Sequence, residues 1–327
     1  MKILISGGGG YIGSTLASAC IDSGITPLIL DNLSTGQRRF TEGRIFYEGD
    51  VGDRNLVRRV FKDHSDIYCV VHCAALTSVP ESLKRPLDYY RVNLAETIKF
   101  VGEITDLGCD RVVFSSTAAI QGSVSDISNR SRPSNPYASS KSMAEQFLAD
   151  VSSSGLRSIV MRYYNVVGAD PKLRSGNTVD ISSTHVIAQM LACRKFGWDF
   201  PVYGNDWPTR DGTAIRDFIH VWDLAIAHIQ ALSRFDDIMN HGSTDHEVMN
   251  IGTGVGTTVM ELLASFERVA GCNLNVRIAS RRPGDIGIST ADIDHTRHLL
   301  QWDPVYSLEE AISSSLAWEE KGRSLAD

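Results

Sequence analysis

Tyr137 and Lys141 stand in a Tyr-x-x-x-Lys pattern at the head of a stretch, 137–154, whose apolar residues have helical spacing. Residues i and i+4 share a helix face, so the ammonium is placed beside the phenol. A free phenol titrates near pH ~10 and is almost wholly neutral at pH 7. A neighbouring cation favours its anion. Lowering that pKa by about 3 units requires about 4 kcal/mol of differential stabilisation, which Lys141 and a cationic cofactor ring can share. This chemistry moves a proton at an alcohol while a hydride leaves the same carbon. Upstream, the apolar run ending Phe114-Ser115-Ser116-Thr117 offers hydroxyls that can serve the same alcohol.

A second constellation opens the chain. Ser6-Gly7-Gly8-Gly9-Gly10-Tyr11-Ile12-Gly13 contains Gly7-x-x-Gly10-x-x-Gly13. Such glycines permit a tight turn, let backbone N–H groups approach a pyrophosphate and let a helix pack close to a strand. The N-terminus of that helix favours an anion. The loop follows an apolar strand, opens a helical pattern and is followed by Asp31 at the end of the next apolar run, the context a dinucleotide site requires. Asp31 can accept hydrogen bonds from an adenine ribose diol and would repel a 2′-phosphate, so NAD is expected over NADP. Arg38 and Arg39 are the nearby residues that could oppose this preference. Asp50, in Gly49-Asp50-Val51, is a candidate adenine contact; its alternative is a solvated carboxylate at a strand end.

These residues need a frame. Ile3–Ile5 and Pro27–Leu30 are short apolar strand runs, joined by a helical pattern over 12–23 that Gly24 stops. Strands are then expected at 44–47, 67–72, 111–115 and 158–163, and helices at 55–64, 86–107 and 137–154. The alternation predicts an α/β fold, a doubly wound Rossmann-type parallel sheet with helices on both faces. Regularity fades after Asn165. Helices are expected at 184–196, 222–234, 257–270 and 307–320, a polar loop near 236–247 and a strand near 274–278. The expected division is a cofactor domain over 1–165 and, mainly over 166–327, a smaller C-terminal α/β substrate domain. Segments near 214–235 are expected to return to the first domain.

Composition excludes several classes. A net charge of −7 argues against a broad grip on nucleic acid or an anionic membrane. No run of apolar residues reaches the length of a transmembrane helix. Met1-Lys2 leads directly into a strand, so no signal peptide is expected and the cytoplasm is the expected location. The six cysteines form no CxxC, and Cys69 and Cys73 read as buried thiols in an apolar run, in keeping with a reducing compartment. The nine histidines form no HExxH, and His295 and His298 in a polar stretch are not expected to hold a metal.

Taken together, the glycine loop, the hydroxyl residues after the fifth strand and Tyr-x-x-x-Lys resemble the extended short-chain dehydrogenases/reductases that modify nucleotide sugars. Within that group the chain most resembles the UDP-glucose (UDP-galactose) 4-epimerase family. The shared segments are Gly10–Ser14, Asp31-Asn32-Leu33, Val79–Ser82 with Tyr89-Tyr90 and Asn93, Phe114–Thr117, Arg162–Asn165, Tyr203–Thr213 running to Arg216–Val221, and Arg281–Asp285. The block over 203–221 is the most specific. The resemblance implies reversible epimerisation at C4 of a UDP-hexose through a 4-keto sugar, with NAD regenerated in each cycle. Tyr137 would take the 4-hydroxyl proton, Thr117 would hydrogen-bond that oxygen, and Lys141 would hold the nicotinamide ribose. Cofactor contacts are implied for Gly7, Gly10, Tyr11, Ile12, Gly13, Asp31, Asn32, Thr35, Gly36, Asp50, Val51, Cys73, Ala74, Ala75, Thr77, Asn93, Ser115, Tyr137, Lys141 and Tyr164. Asn165, Arg216, Arg282 and Asp285 would bind the UDP portion, with His185, Val186 and Tyr203 near its phosphates and uracil. A homodimer through helices near 86–107 and 138–154 is also implied.

The chain departs from the family pattern at several points. Thr77 stands where a lysine is usual, Ile120-Gln121-Gly122 replaces Val-Tyr-Gly, the segment from Gly122 to Tyr137 is short, Asn93–Thr97 lacks its usual glycine, and Val166 replaces a proline. Ser289 falls where a residue borders the hexose; a small side chain there leaves room for a 2-acetamido group, so UDP-GlcNAc and UDP-GalNAc are expected as further substrates. A dehydratase of the same fold needs an acid/base pair after the catalytic Ser/Thr, where this chain has Ala118-Ala119. Other sugar oxidoreductases of the fold, and a catalytically silent NAD-binding protein, are the remaining readings.

Overall fold

The computed structural model describes residues 1–121, 133–177, 185–241, 245–282 and 284–324. Strands and helices alternate from the start: β1 (Lys2–Ser6), α1 (Tyr11–Asp22), β2 (Thr26–Asp31), β3 (Ile45–Glu48), α2 (Arg54–Asp63), β4 (Ile67–His72), α3 (Val79–Lys84), α4 (Pro86–Tyr90), α5 (Thr97–Asp106), β5 (Arg111–Thr117), α6 (Pro136–Ser152) and β6 (Arg157–Tyr163). The later elements are β7 (Asn165–Val167), α7 (Val186–Phe196), β8 (Phe200–Tyr203), β9 (Ile215–His220), α8 (Val221–Ser233), α9 (Phe235–His241), β10 (His246–Ile251), β11 (Gly256–Thr258), α10 (Val259–Ala270), β12 (Val276–Ala279), β13 (Ile288–Ser289), α11 (Asp294–Leu300) and α12 (Leu308–Ser324).

Seven parallel strands form the main sheet in the order β10-β6-β5-β4-β1-β2-β3. Its strands are continuous apolar runs because both faces are covered. Ile3 and Ile5 of β1 pack on one side with Val71, Val113 and residues of α1 and α8. Leu4, between them, points to the other side, with Val70, Val112, Phe114 and residues of α2, α5 and α6. The order runs outward in opposite directions from β1 and β4, which opens a crevice at their carboxyl ends, the switch point where ligands bind in such sheets.

Beyond β6 the chain builds a second layer. β7, β9, β11 and β13 form a small mixed sheet centred on β9, and β8 pairs with β12. Phe200, Val202, Phe218, Leu262, Phe266 and Ile312 share a core under α7, α10 and α12.

The structure corrects several sequence expectations. The span 86–107 is helical but not one α-helix, since a π-helical turn over Arg91–Glu96 separates α4 from α5. The polar loop expected near 236–247 contains α9 and the start of β10, the outermost strand of the main sheet. The helix expected from Thr184 is described from Val186; Thr184 itself, and most of the Ser-rich segment 123–135, lie outside the described residues. Among the described residues, no helix is long and apolar enough to cross a membrane.

Candidate active site

The crevice beside β1 and β4 widens into a cavity of about 930 Å³ that reaches into the second layer. The glycine loop forms its floor. Gly7 has φ +74°, and a Cβ there would lie 2.6 Å from the Ala74 nitrogen. A Cβ on Gly13 would lie 2.3 Å from the Gly7 carbonyl oxygen. Both positions therefore need glycine for close packing. At Gly10 a Cβ would meet only the Gly7 oxygen, at 3.3 Å, so that face stays open to a ligand. No side chain caps α1 at Gly10, which leaves the first-turn N–H groups of Tyr11, Ile12 and Gly13 for an anion. Tyr11 reaches across and donates its hydroxyl to the Gly168 carbonyl at 2.6 Å.

Asp31, at the end of β2, lies on the cavity wall with Asn32, Thr35, Asp50 and Val51. Its carboxylate also braces the loop, accepting from Gly9 N at 2.8 Å and Leu33 N at 2.7 Å. Gly36 is not on the wall; it sits behind Asp31, where a Cβ would approach Oδ1 to 2.8 Å. Asn32 donates to Asp50 Oδ2 at 2.9 Å, so these two residues act as one polar edge. Cys73, Ala74, Ala75 and Thr77, after β4, form the opposite wall. Asn93 lies behind them. It is fully buried in the π-helical turn and holds both backbone groups of Leu76, at 2.8 and 2.9 Å, while donating to Ser140 at 3.1 Å. Its position is that of a support for the wall, where the sequence reading expects a direct cofactor contact.

The Tyr-x-x-x-Lys pair sits at the start of α6. Asn135 caps this helix by accepting from Ala138 N at 2.9 Å, and Pro136 occupies its first turn. The Tyr137 phenol stands beside the hydroxyl of Thr117, the last residue of β5. Lys141 is buried and donates to the Ser115 carbonyl at 2.8 Å, with its Nζ 4.6 Å from the centre of the Phe114 ring. Burial pulls the Lys141 ammonium down to about 8, opposed by the charges of Cys73 and Glu145. Burial also raises the Tyr137 phenol above its ordinary value, opposed by the Thr117 hydroxyl. The Lys141 ammonium is turned to the Ser115 carbonyl, so the lowering of the phenol expected from Lys141 and a cationic cofactor ring together has to overcome this burial. Tyr164, on the same wall, donates to Gln121 Oε1 at 2.8 Å.

At the far end of the cavity the distal motif residues converge. Arg216 on β9 forms an ion pair with Asp285, and β13 places Ser289 opposite Arg216. The Arg282 guanidinium lies 3.7 Å over the Tyr203 ring. Asn165 donates to the Asp217 carbonyl at 3.2 Å. His185 and Val186 open α7, and burial lowers the His185 imidazole pKa. All expected site residues except Gly36 and Asn93 line this one cavity.

Sequence reasoning missed Asp217. Its fully buried carboxylate accepts from Thr253 N at 2.8 Å, Thr253 Oγ1 at 2.7 Å, Gly254 N at 2.9 Å and Ala291 N at 3.2 Å, joining β9 to the segment after Ser289. The signal was an acidic residue within the strand pattern Arg216-Asp-Phe-Ile. Also missed were the apolar wall residues Pro80 and Phe218, which no chemical pattern marks. Among the described residues, no group of His, Cys, Asp and Glu could hold a metal ion.

The profile of the NAD dependent epimerase/dehydratase family matches residues 3–252. The UDP-glucose 4-epimerase of Azospirillum brasilense is 40% identical, over 97% of this chain and 92% of that protein. The UDP-glucose 4-epimerase of Bacillus subtilis (strain 168) is 38% identical, over 98% and 97%. Among solved structures, the UDP-glucose-4-epimerase of Stenotrophomonas maltophila, with bound NAD and formylated UDP-arabinopyranose, superposes with a TM-score of 0.91 at 32% identity and covers 100% of both chains. The UDP-Glc/GlcNAc 4-epimerase of Campylobacter jejuni gives 0.80 at 34% identity, over 98% of this chain and 99% of that one. The chain belongs to the NAD dependent epimerase/dehydratase family and, within it, to the UDP-glucose 4-epimerases.

Proposed function

We propose that this chain interconverts UDP-hexoses at C4, UDP-glucose and UDP-galactose first among them, through a 4-keto sugar. The observation that carries this reading is the single cavity in which the glycine loop, the Thr117/Tyr137/Lys141 group and the Arg216/Arg282 end meet. NAD fits its first arm, where Gly10 is open, α1 presents an uncapped N-terminus and Asp31 stands at the ribose end. NAD held there by the glycine loop and Asp31 would supply the hydride acceptor and donor for the sugar C4.

The side chains do the remaining work. Tyr137 accepts the 4-hydroxyl proton and gives it back, while Thr117 holds the sugar oxygen against the phenol. Lys141, charged below about pH 8, stabilises the phenolate and can hold the nicotinamide ribose. Arg216 and Arg282 offer planar forks suited to a diphosphate. With the UDP portion anchored at that end, the keto sugar turns without leaving the cavity. Ser289, a small residue on the cavity wall beside Arg216, supports acceptance of a 2-acetamido group.

Residues 1–165, with α8 and β10, form the cofactor-holding part in this reading, and the later residues mainly hold the nucleotide sugar. A homodimer is part of the same reading: Leu83, Leu87, Ile98 and Met143 on α3–α6 are apolar and exposed, Leu87 by 82%. Six free cysteines suit a reducing compartment such as the cytoplasm.

Incubation of the purified protein with UDP-galactose or UDP-GalNAc, without added reductant, tests the reading. The C4 epimers are expected as products. Loss of water would instead favour a dehydratase, although Ala118 and Ala119 offer no acid/base pair after Thr117. No conversion of any UDP-sugar would end the proposal.

A further inference from the structure

We propose that Glu145 is a positioning residue for the Tyr137/Lys141 pair: its carboxylate locks α6 onto β5 and β6 in the register that sets the phenol on Thr117 and the ammonium on the Ser115 carbonyl. The inference rests on the catalytic reading of that pair given above.

Tyr137, Lys141 and Glu145 follow one another at four-residue intervals and share one stripe of α6. That stripe meets three consecutive residues of β5. The Tyr137 phenol stands beside the Thr117 hydroxyl, Lys141 donates to the Ser115 carbonyl, and the Ser116 hydroxyl donates to Glu145 Oε1. The same carboxylate accepts from Arg162 Nε at 3.0 and 3.1 Å and from the Arg162 Nη2. Arg162 lies directly opposite Ser116 in the β5–β6 pairing. One carboxylate therefore grips the helix-facing strand and its neighbour at the same level. Glu145 is 6% exposed and Ser116 2%.

Bidentate and charge-assisted bonds are directional, so they define a register as well as an attraction. Buried ion pairs add little net stability against an apolar replacement, and fixing register is their best-attested use. Register matters here because a displacement of the phenol by about 1 Å can cost about 100-fold in rate. Arg162 also leads directly into Tyr164 and Asn165, so the clamp ties the catalytic helix to two further cavity residues.

Glu145 also shapes the field at Lys141. Facing that ammonium are His72 and Cys73 from the end of β4, the Phe114 ring and Ser115 carbonyl from β5, and Glu145 on its own helix. Tyr163 of β6 stands behind Cys73, and Arg162 behind Glu145. The Glu145 charge opposes the burial that makes Lys141 easier to deprotonate.

Three variants test the proposal: Glu145→Gln, Glu145→Asp and Ser116→Ala, each read by pH profiles of kcat and KM for UDP-galactose. In Glu145→Gln, kcat is expected to fall about 10- to 100-fold with KM within about twofold. Its alkaline limb should move to lower pH by about half a unit to one unit. Glu145→Asp keeps the charge but shortens the reach, so the limb should stay in place while kcat remains about 10-fold down. Ser116→Ala should lose about threefold in kcat with the limb unmoved. Hydrogen exchange should quicken across β5 and the first turns of α6 in Glu145→Gln, and not in the rest of the sheet.

Wild-type kcat with an unmoved limb in Glu145→Gln overturns the proposal. So does loss of activity through KM alone. If Glu145→Gln does not fold, Glu145→Asp decides, and full wild-type kcat in it overturns the idea. Failure of the underlying reading looks different: the wild type would not epimerise, or Tyr137→Phe would remain active.

Discussion

The Lys141 ammonium donates to the Ser115 carbonyl at 2.8 Å, and the Tyr137 phenol stands beside the Thr117 hydroxyl, two residues further along the same strand. The two side chains proposed as catalytic are thus positioned by β5 rather than by each other. Each can be perturbed without directly removing the other's partner.

Tyr137→Phe removes the proton acceptor and keeps the ring. Its kcat should fall by a factor of about 100 to 10,000, while bound NAD is retained, since the phenol adds little to the cofactor's polar anchors. Steady-state kinetics and the absorbance of released nucleotide check both halves.

The alkaline limb of kcat should belong to Lys141. Burial lowers this group to about 8, so it is charged below that pH and neutral above it. Rising pH should therefore reduce kcat between about pH 7 and 9 as the cation that stabilises the phenolate is lost. Lys141→Met should be slow at every pH and lack the limb. A limb that persists in that variant would assign it to another group.

Stability should fall with acid because three histidines are buried in neutral form. Burial holds His72 to about 3 and His220 and His228 to about 4, against 6.5 in the unfolded chain. Below pH 6.5 the unfolded chain takes up protons that the folded chain refuses. Each histidine then removes about 1.4 kcal/mol of stability per pH unit until its folded value is reached. Urea denaturation at pH 7 and 5.5 should show a lower midpoint at the acid pH. Equal midpoints would contradict the burial argument.

Asp217→Ala should damage the substrate end and leave the cofactor arm intact. It removes the acceptor of the half-buried Thr253 and the exposed Gly254 N–H groups and strands the buried Ala291 N–H, the last at a cost of about 1–3 kcal/mol. Arg216 and Ser289 lie on the strands that these bonds hold together. KM for the UDP-sugar should rise more than kcat falls, and NAD content should not change.

Ser289→Tyr should abolish turnover of UDP-GalNAc and spare UDP-galactose, because the ring would take the space proposed for the acetamido group. Equal loss of both activities would show that Ser289 does not discriminate between them.

Much of this site was legible because its parts are local. The glycine loop, Asp31 and Tyr-x-x-x-Lys each lie within one element or turn, and spacing alone places their atoms. The seventh strand was not legible. His246–Ile251 is half polar and follows a polar stretch, and only its place beside β6 makes it a strand. The break at Arg91–Glu96 was hidden for a similar reason, since a π-helical turn keeps the helical pattern while shifting its face. Asn93 was read by motif as a cofactor contact, but its amide is spent on the Leu76 backbone. The upward pull of burial on the Tyr137 phenol was not legible either, because a five-residue pattern does not contain burial.

The most direct test follows the hydrogen at C4. UDP-galactose carrying deuterium at C4 should be converted in ordinary water, without added NAD or reductant, to UDP-glucose that keeps the deuterium at C4. A mixture with a second UDP-sugar should show no exchange of label between them. Product with solvent hydrogen at C4, or label shared between the two sugars, would contradict a hydride held and returned within one closed site.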